Sequence, residues 1–220
     1  DKPVLVRVNG IGTPWHDRDI AALRGHGFSA VVLPKAEFGP EFETLCEQLD
    51  LPVVVLIESV RGLADARRIA ITCNVARIAF GSIDFSADLG CAHTREALLL
   101  ARSELVVASR LAGLPQPIDG VTTAIDDAPL IASDARHARD LGFTGKLCIH
   151  PRQVAAIQAG FAPDEAEVLW ARKVMASGDG AVAIDGAMVD EPVRIRARSI
   201  LKWVPSAPAA VFDASLSTSQ

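Results

Sequence analysis

Short apolar runs, mostly built around β-branched residues, recur along the chain and constrain its fold more than any other feature. Six of them lie, in order, at Pro3–Val8, Ala30–Pro34, Pro52–Ile57, Val75–Phe80, Pro117–Thr122 and Lys146–His150. A Gly, Pro or polar loop follows each run, and amphipathic segments fill the five gaps between them. Nearly continuous apolar strands are typical of a parallel sheet buried on both faces, so the pattern predicts an α/β fold of repeated βα units.

The number of strands leaves two architectures open. An eight-stranded βα barrel usually needs about 250 residues, and six strands do not close one. Either the sheet is open, or two strands precede Asp1; the second is favoured because the chain starts on a strand with no initiator Met. We expect a strand-bearing domain at 1–160, C-terminal helices and an arm at 161–203, and a loose Ser/Ala/Pro-rich tail at 204–220.

The C-terminal part departs from the βα alternation. Proline is expected at the first helical position in Pro163-Asp164-Glu165, and an apolar stripe should include Leu169 and Val174. This stripe is followed by a Ser-Gly-Asp-Gly break at 177–180, a turn at Gly186, a Met-Val-Asp-Glu-Pro segment at 188–192 and a basic helix to about Trp203.

An amphipathic helix is also expected after the third apolar run. One of its faces should carry Leu63, Ala66, Ala70 and Cys73.

Composition excludes several classes of partner. A net charge of −5 with no basic block argues against nucleic acid and anionic membranes as partners. The longest apolar runs are far shorter than the roughly 20 residues that cross a bilayer, so we expect a cytoplasmic protein. The four cysteines are widely spaced within apolar patterns and should be reduced and mostly buried.

The candidate site residues are polar side chains that terminate apolar runs, since parallel strands end at one rim. Glu58 and Asp84 follow neighbouring strands and would place two carboxylates there, an arrangement suited to Mg²⁺. Arg7 ends the first run and suits a carboxylate or a developing enolate oxygen. The structural alternative is that both carboxylates cap the following helices and Arg7 pairs with one of them. Asp88 and His150 are assigned structural roles, as a loop cap and a framework residue.

Four motifs, taken in order, resemble the citrate lyase β-subunit-like family within the HpcH/HpaI aldolase superfamily, and are close to its malyl-CoA and citramalyl-CoA lyases. They are Arg7-Val8-Asn9, the Glu58 segment 57–62, Gly81-Ser82-Ile83-Asp84 with Asp88-Leu89-Gly90, and the segment 141–151 ending in Ile-His-Pro. The resemblance implies a (β/α)8 TIM barrel of which strands 3 to 8 are visible, followed by a subunit-crossing arm and helix.

The same resemblance implies the roles of individual residues. Glu58 and Asp84 would hold Mg²⁺, Arg7 would bind substrate and act in catalysis, and backbone amides near Gly81 and Ser82 would hold the keto-acid carboxylate. Asp190, in the Met-Val-Asp-Glu-Pro segment, would move the proton, although it could also be a turn residue. The implied reaction is reversible cleavage of a 3-hydroxyacyl-CoA to an acyl-CoA and a 2-keto acid.

Other functions stay open at this point. The chain could be a β-subunit that acts on a carrier-bound citryl thioester, a keto-acid-binding protein without turnover, or a keto-acid aldolase that works without CoA. The resemblance also implies a homo-oligomer, trimeric or hexameric, because the arm has no place within its own barrel. The small-molecule partners that the resemblance implies are a 2-keto acid and a CoA thioester.

Overall fold

The computed structural model describes residues 2–178, 180, 182–184 and 186–204. The chain divides into two compact units, the first ending at Phe161 and the second starting at Ala162. The first unit contains a parallel sheet whose strands pair in sequence order. The six strands are β1 Leu5–Arg7, β2 Ala30–Leu33, β3 Val53–Ile57, β4 Val75–Phe80, β5 Ile118–Asp119 and β6 Gly145–Lys146.

Helices occupy every gap between these strands, as the sequence pattern predicts. They are α1 His16–Ala22, α2 Pro40–Gln48, α3 Val60–Ala64, α4 Ala66–Ala70, α5 Ser82–Leu89, α6 Leu99–Leu111 and α7 Ala128–Leu141, and a 3₁₀ helix at Pro151–Gln153 leads into α8 Val154–Phe161. The predicted α/β class is confirmed. In the described residues the sheet has β1 and β6 at its edges, so these six strands do not form a closed barrel.

The sheet is buried on both faces, which explains why its strands are continuously apolar. In β3, Val53, Val55 and Ile57 belong to the main core cluster with the helices. The residues between them, Val54 and Leu56, pack on the other face with small residues of β2 and β4. Every residue of β3 is buried. The carboxyl end of this strand is therefore rigidly placed.

The last two strands are shorter than predicted. The segment 117–122 contributes only Ile118 and Asp119 to the ladder, since Pro117 has no amide hydrogen and Gly120 gives little strand propensity. The segment 146–150 turns out of the sheet after Lys146. His150 instead caps the 3₁₀ helix, its Nδ1 accepting a hydrogen bond from the Arg152 amide at 3.1 Å, which agrees with a framework role.

Two predictions about the helix after β3 and about the cysteines are wrong. The helix is divided at Asp65 into α3 and α4, so Cys73 lies beyond its end and is exposed. Among the cysteines only Cys46 is buried; Cys91 is partly buried and Cys148 is exposed, because it lies in the irregular chain after β6. All four are free, as expected.

The second unit consists of α9 Glu165–Ala176, an antiparallel hairpin of β7 Val182–Ile184 and β8 Ala187–Val189, and α10 Glu191–Leu201. Asp164 caps α9 in a capping box with Glu167, so Pro163 precedes the cap and the predicted helical proline is wrong. Leu169 is exposed, whereas Val174 is buried as predicted. The predicted tail, apart from Val204, lies outside the described residues, as does Asp179 of the predicted break.

Candidate functional site

A cavity of about 160 Å³ lies at the carboxyl ends of β1, β3 and β4. Its wall includes all the candidate residues that the sequence places at strand ends of the first unit, namely Arg7, Glu58, Gly81, Ser82 and Asp84. Arg7 is the last residue of β1, and Glu58 and Gly81 directly follow β3 and β4. Ser82 and Asp84 belong to the first turn of α5.

Glu58 is the buried carboxylate of this cavity, with only 5% of its surface exposed. Its Oε1 accepts a hydrogen bond from the Lys35 amide at 2.9 Å. Lys35 has a left-handed backbone with φ 49, an unusual conformation for a side-chain-bearing residue that aims this amide at Glu58. Burial raises the pKa of Glu58, the Lys35 amide opposes this shift, Asp84 adds to it, and Arg7 opposes it.

Gly81 makes room for Glu58. A β-carbon at this position would lie 2.4 Å from Glu58 Cβ and 2.6 Å from its Oε2. The Gly81 amide donates to the Ile57 carbonyl at 2.8 Å and so extends the sheet. Gly81 therefore contributes space for Glu58. The amide donors that are available to a ligand come from the residues after Gly81.

The first turn of α5 supplies those donors. The amides of Ser82, Ile83 and Asp84 precede the first intrahelical donor, which is the Phe85 amide bonded to the Gly81 carbonyl at 3.0 Å. The positive end of the helix dipole favours an anion at this point. Asp84 itself is exposed. An anionic ligand and a cation held by Asp84 and Glu58 would thus be neighbours here.

The alternative that Glu58 and Asp84 cap the following helices, with Arg7 paired to one of them, does not describe this cavity. The α3 cap is Ser59, whose Oγ accepts from the Gly62 amide at 3.0 Å, and not Glu58. Asp88 accepts from the Val60 amide at 2.7 Å and so orients the same helix, in agreement with its predicted structural role. Among the described residues Arg7 forms no ion pair, which leaves its guanidinium available to a ligand.

The donor set fits Mg²⁺. Within the part of the chain that the structure describes, no cluster of three or more His, Cys, Asp or Glu side chains is placed to hold a metal. The two carboxylates Glu58 and Asp84 suit a hard cation that usually takes one or two protein carboxylates and fills its other positions with water and substrate oxygens. A buried carboxylate with a raised pKa beside a second carboxylate is also the environment that a divalent cation would relieve.

Sequence reasoning missed a polar cluster beside this cavity. His93 Nε2 lies 2.9 Å from Ser82 Oγ. Asp119 at the end of β5 is buried between two cations, with Arg102 Nε at 2.8 Å and Lys146 Nζ at 3.0 Å. From the sequence, Asp119 could be a helix cap or a residue that faces the site at its strand end, but its two cationic partners could not be inferred. His93 gave no signal, because it lies in irregular chain between α5 and α6.

Asp190 lies in the second unit, where it caps α10. Its side chain accepts a hydrogen bond from the Val193 amide at 3.3 Å. It is partly buried and immediately follows β8. A helix-capping role is therefore established for this residue, and its assignment as a catalytic residue stays a prediction.

Comparison with known proteins identifies the family. Residues 2–151 match the model of the HpcH/HpaI aldolase/citrate lyase family. The chain belongs to this family. Its first unit has the α/β fold with a curled parallel sheet that is found in the citrate lyase β relatives. Members include lyases, and some members are thioesterases.

Three relatives illustrate the range of the family. A citrate lyase subunit beta-like protein of Deinococcus radiodurans is 38% identical over 90% of this chain and 74% of its own length. A (3S)-malyl-CoA thioesterase of Cereibacter sphaeroides is 30% identical over 90% of this chain and 72% of its own. The structure of CitE from Mycobacterium tuberculosis in complex with magnesium, acetoacetate and coenzyme A superposes with a TM-score of 0.82 at 32% identity, over 90% of this chain and 77% of that one.

No helix in the described residues combines the length and the apolar character that a bilayer span requires.

Proposed function

We propose that this protein is a Mg²⁺-dependent carbon–carbon lyase. It would cleave, or form, a 3-hydroxyacyl-CoA of the malyl-CoA, citramalyl-CoA or citryl-CoA type, with an acyl-CoA and a 2-keto acid as the other partners. The observation that carries this proposal is the meeting of Glu58, Asp84 and Arg7 in the wall of one cavity. Two carboxylates for a cation and one guanidinium for an anion are what a keto acid bound to Mg²⁺ requires.

The chain's own residues would divide the chemistry as follows. Glu58 and Asp84 would hold Mg²⁺, which when bound would polarise the oxygen at the carbon being attacked or released. Arg7 would stabilise the thioester enolate as its negative charge develops. Amides of the first turn of α5 would bind the keto-acid carboxylate, and Asp190 would transfer the proton. Apolar walls from Leu56 and Phe80 would exclude water from these charges.

The relatives support the same assignment. CitE of Mycobacterium tuberculosis was crystallised with magnesium, acetoacetate and coenzyme A, and in another structure with magnesium and pyruvate, which is a 2-keto acid as the proposed reaction needs. By the same likeness we propose a complete eight-stranded barrel in the full-length protein, a division at 1–160, 161–203 and 204–220, and a homotrimer or hexamer built through the C-terminal arm. Light scattering of the full-length protein tests the oligomer, and a monomer would remove any role of Asp190 across subunits.

Hydrolysis is the second candidate function. It is favoured by the relative named (3S)-malyl-CoA thioesterase. In that reaction water attacks the thioester, and the products are free CoA and a hydroxy acid rather than an acyl-CoA and a keto acid. A carrier-dependent citrate lyase β-subunit would instead be inactive on free citryl-CoA, and a binding protein would hold keto acid without turnover.

One experiment separates these functions. Full-length protein is incubated with MgCl₂ and malyl-CoA, citramalyl-CoA or citryl-CoA, and keto acid, acyl-CoA and free CoA are quantified with and without EDTA. EDTA-sensitive release of equal amounts of keto acid and acyl-CoA supports the lyase. Release of CoA without keto acid supports the thioesterase, and keto-acid binding without any cleavage would overturn both in favour of the carrier-dependent subunit or the binding protein.

A further inference from the structure

Ser82 is held from two sides in the wall of the cavity. It is 1% exposed. A β-carbon on Gly120 would lie 2.1 Å from Ser82 Oγ, so the end of β5 approaches the hydroxyl as closely as it does only because residue 120 is glycine. On another side His93 Nε2 lies 2.9 Å from the same oxygen. The hydroxyl therefore has a fixed position beside the ligand-binding residues.

His93 reaches this oxygen from outside the cavity. It lies in the irregular segment between α5 and α6, and the residue is exposed to solvent on one side. Among the described residues it is the hydrogen-bonding partner of the Ser82 hydroxyl. A hydroxyl has one hydrogen and two lone pairs, so this bond leaves Ser82 able to bond further groups, a ligand in the cavity among them.

The charges around His93 favour a neutral ring. Partial burial lowers its pKa, and the nearby cations Arg102 and Lys146 lower it further, whereas Asp119 and Asp134 oppose the shift. Arg102 and Lys146 both contact Asp119, so this pocket of α6, β5 and β6 carries two cations for one shared carboxylate. A neutral imidazole has one N–H, and the tautomer decides which nitrogen carries it.

A bound carboxylate decides the direction of these hydrogen bonds. The oxygens of an ionised keto acid accept hydrogen bonds and donate none. If Ser82 gives its single hydrogen to such an oxygen, its own oxygen must accept from His93. The Nε2–H form of the ring, and not the Nδ1–H form, is thus the one compatible with an anionic ligand that accepts from the Ser82 hydroxyl.

We propose that His93 is a positioning residue that donates Nε2–H to Ser82 Oγ and so directs the Ser82 hydroxyl hydrogen at the carboxylate of the bound 2-keto acid. This inference rests on the proposed function, since it deepens the ligand contacts of the same cavity. It assigns a role to the Ser82 side chain in addition to its backbone amide. His93 acts on the ligand through Ser82 and does not touch the reacting atoms.

The role predicts a distinctive set of effects. Loss of the ring in His93→Leu frees the Ser82 hydrogen to choose other acceptors and should weaken keto-acid binding about tenfold, the scale of one hydrogen bond to a charged group. His93→Gln keeps an N–H donor of similar reach and should restore most of the affinity. In a Ser82→Ala background, His93→Leu should have no further effect, because the group that it positions is gone.

Calorimetric titration of the full-length protein in MgCl₂ with pyruvate, glyoxylate and oxaloacetate tests this. The variants are Ser82→Ala, His93→Leu, His93→Gln and the double variant Ser82→Ala/His93→Leu. His26→Leu is the control, since His26 is an exposed histidine whose ring bonds to the nearby Arg24 carbonyl and stacks on Phe28. Weakening by His93→Leu that is rescued by Gln and absent in the Ser82→Ala background supports the proposal.

Two results would overturn it, and they are distinguishable. If the wild-type protein binds a keto acid and His93→Leu binds it equally well, or if His93→Leu weakens binding as much in the Ser82→Ala background as in the wild type, the positioning role is wrong and the proposed function stands. If the wild-type protein binds none of the three keto acids in MgCl₂, the proposed function fails and this inference fails with it.

Discussion

The carboxylate of Glu58 occupies the space that a side chain at Gly81 would fill. A β-carbon on Gly81 would lie 2.4 Å from Glu58 Cβ and 2.6 Å from Oε2. The backbone of Gly81 has φ −86, which other residues also adopt, so glycine is required here by packing and not by backbone conformation. One strand end thus makes room for the functional group of its neighbour.

Gly81→Ala should therefore displace Glu58. We expect Mg²⁺ affinity to fall at least tenfold and stability to fall by about 1–3 kcal/mol, the usual cost of inserting a methyl group into a packed site. Gly39→Ala is the matched control, because its backbone is extended and a β-carbon there meets no atom within 4 Å. Equal Mg²⁺ affinities of the two variants by calorimetry would show that the contact with Glu58 does not matter.

Asp84→Asn should separate activity from folding. Asp84 is exposed, so its loss should change the melting temperature little beyond the small benefit of an acid in the first turn of α5. Removing a direct metal ligand should cost at least the roughly 10–100-fold in metal affinity that is typical of residues supporting a ligand. Asp50→Asn, an exposed change at the other end of β3, is the control. An Asp84→Asn protein that keeps the Mg²⁺ affinity and the activity of the wild type would contradict the role of Asp84 as a ligand.

Glu58 makes the stability of the metal-free protein depend on pH. Its pKa in the folded protein is raised by burial above the ordinary 4.5, so folding favours the protonated form and stability is lost as pH rises through and beyond 4.5. Glu58→Gln keeps an acceptor for the Lys35 amide and carries no charge. In EDTA, we expect the melting temperature of Glu58→Gln to exceed that of the wild type increasingly from acid to neutral pH.

Adding MgCl₂ should reverse this comparison. The cation binds the ionised carboxylate, so the wild type should gain melting temperature as pH rises and Glu58→Gln should not. Differential scanning calorimetry over the same pH range measures both effects. If the melting temperatures of the two proteins in EDTA changed in parallel with pH, this result would contradict the raised pKa of Glu58.

Most residues of the cavity could be predicted by selecting the polar residues that end apolar runs, because this selection depends on local information. An apolar run and the polar residue that ends it are adjacent in sequence, and parallel strands bring such ends together, as for Glu58 and Asp84. The amide of Lys35 could not be found in this way. It reaches Glu58 only because a lysine adopts φ 49, which its side chain does not predict. His93 was missed because irregular chain has no period from which a contact can be inferred.

Asp119→Asn should strongly destabilise the first unit. It would leave Arg102 and Lys146 buried without their shared carboxylate, and breaking a buried ion pair typically costs about 3–5 kcal/mol. Glu104→Gln breaks the surface pair with Arg67, in which 60% of the arginine side chain is exposed, and should cost less than about 1 kcal/mol. Urea denaturation measures the free energy of unfolding of both variants. Equal losses of this free energy would mean that burial does not strengthen the cluster around Asp119.

These long-range pairs mark the limit of prediction from the sequence. Arg102, Asp119 and Lys146 belong to three different elements, and nothing in the apolar pattern shows that their charges meet. The division of the helix after β3 at Asp65 has a similar origin, since the apolar spacing continues through a break that only the backbone reveals. What the sequence does predict is the parallel sheet and the rim at which the candidate site residues lie.

The most direct test of the central claim, that Glu58 and Asp84 together hold Mg²⁺ for a 2-keto acid, is a linked titration of the full-length protein. Mg²⁺ binding is measured by calorimetry with and without saturating pyruvate, glyoxylate or oxaloacetate, for the wild type, Glu58→Gln and Asp84→Asn. We predict that one keto acid tightens Mg²⁺ binding to the wild type, that Mg²⁺ tightens keto-acid binding by the same factor, and that both variants lose this coupling. Wild-type coupling in either variant would contradict the account.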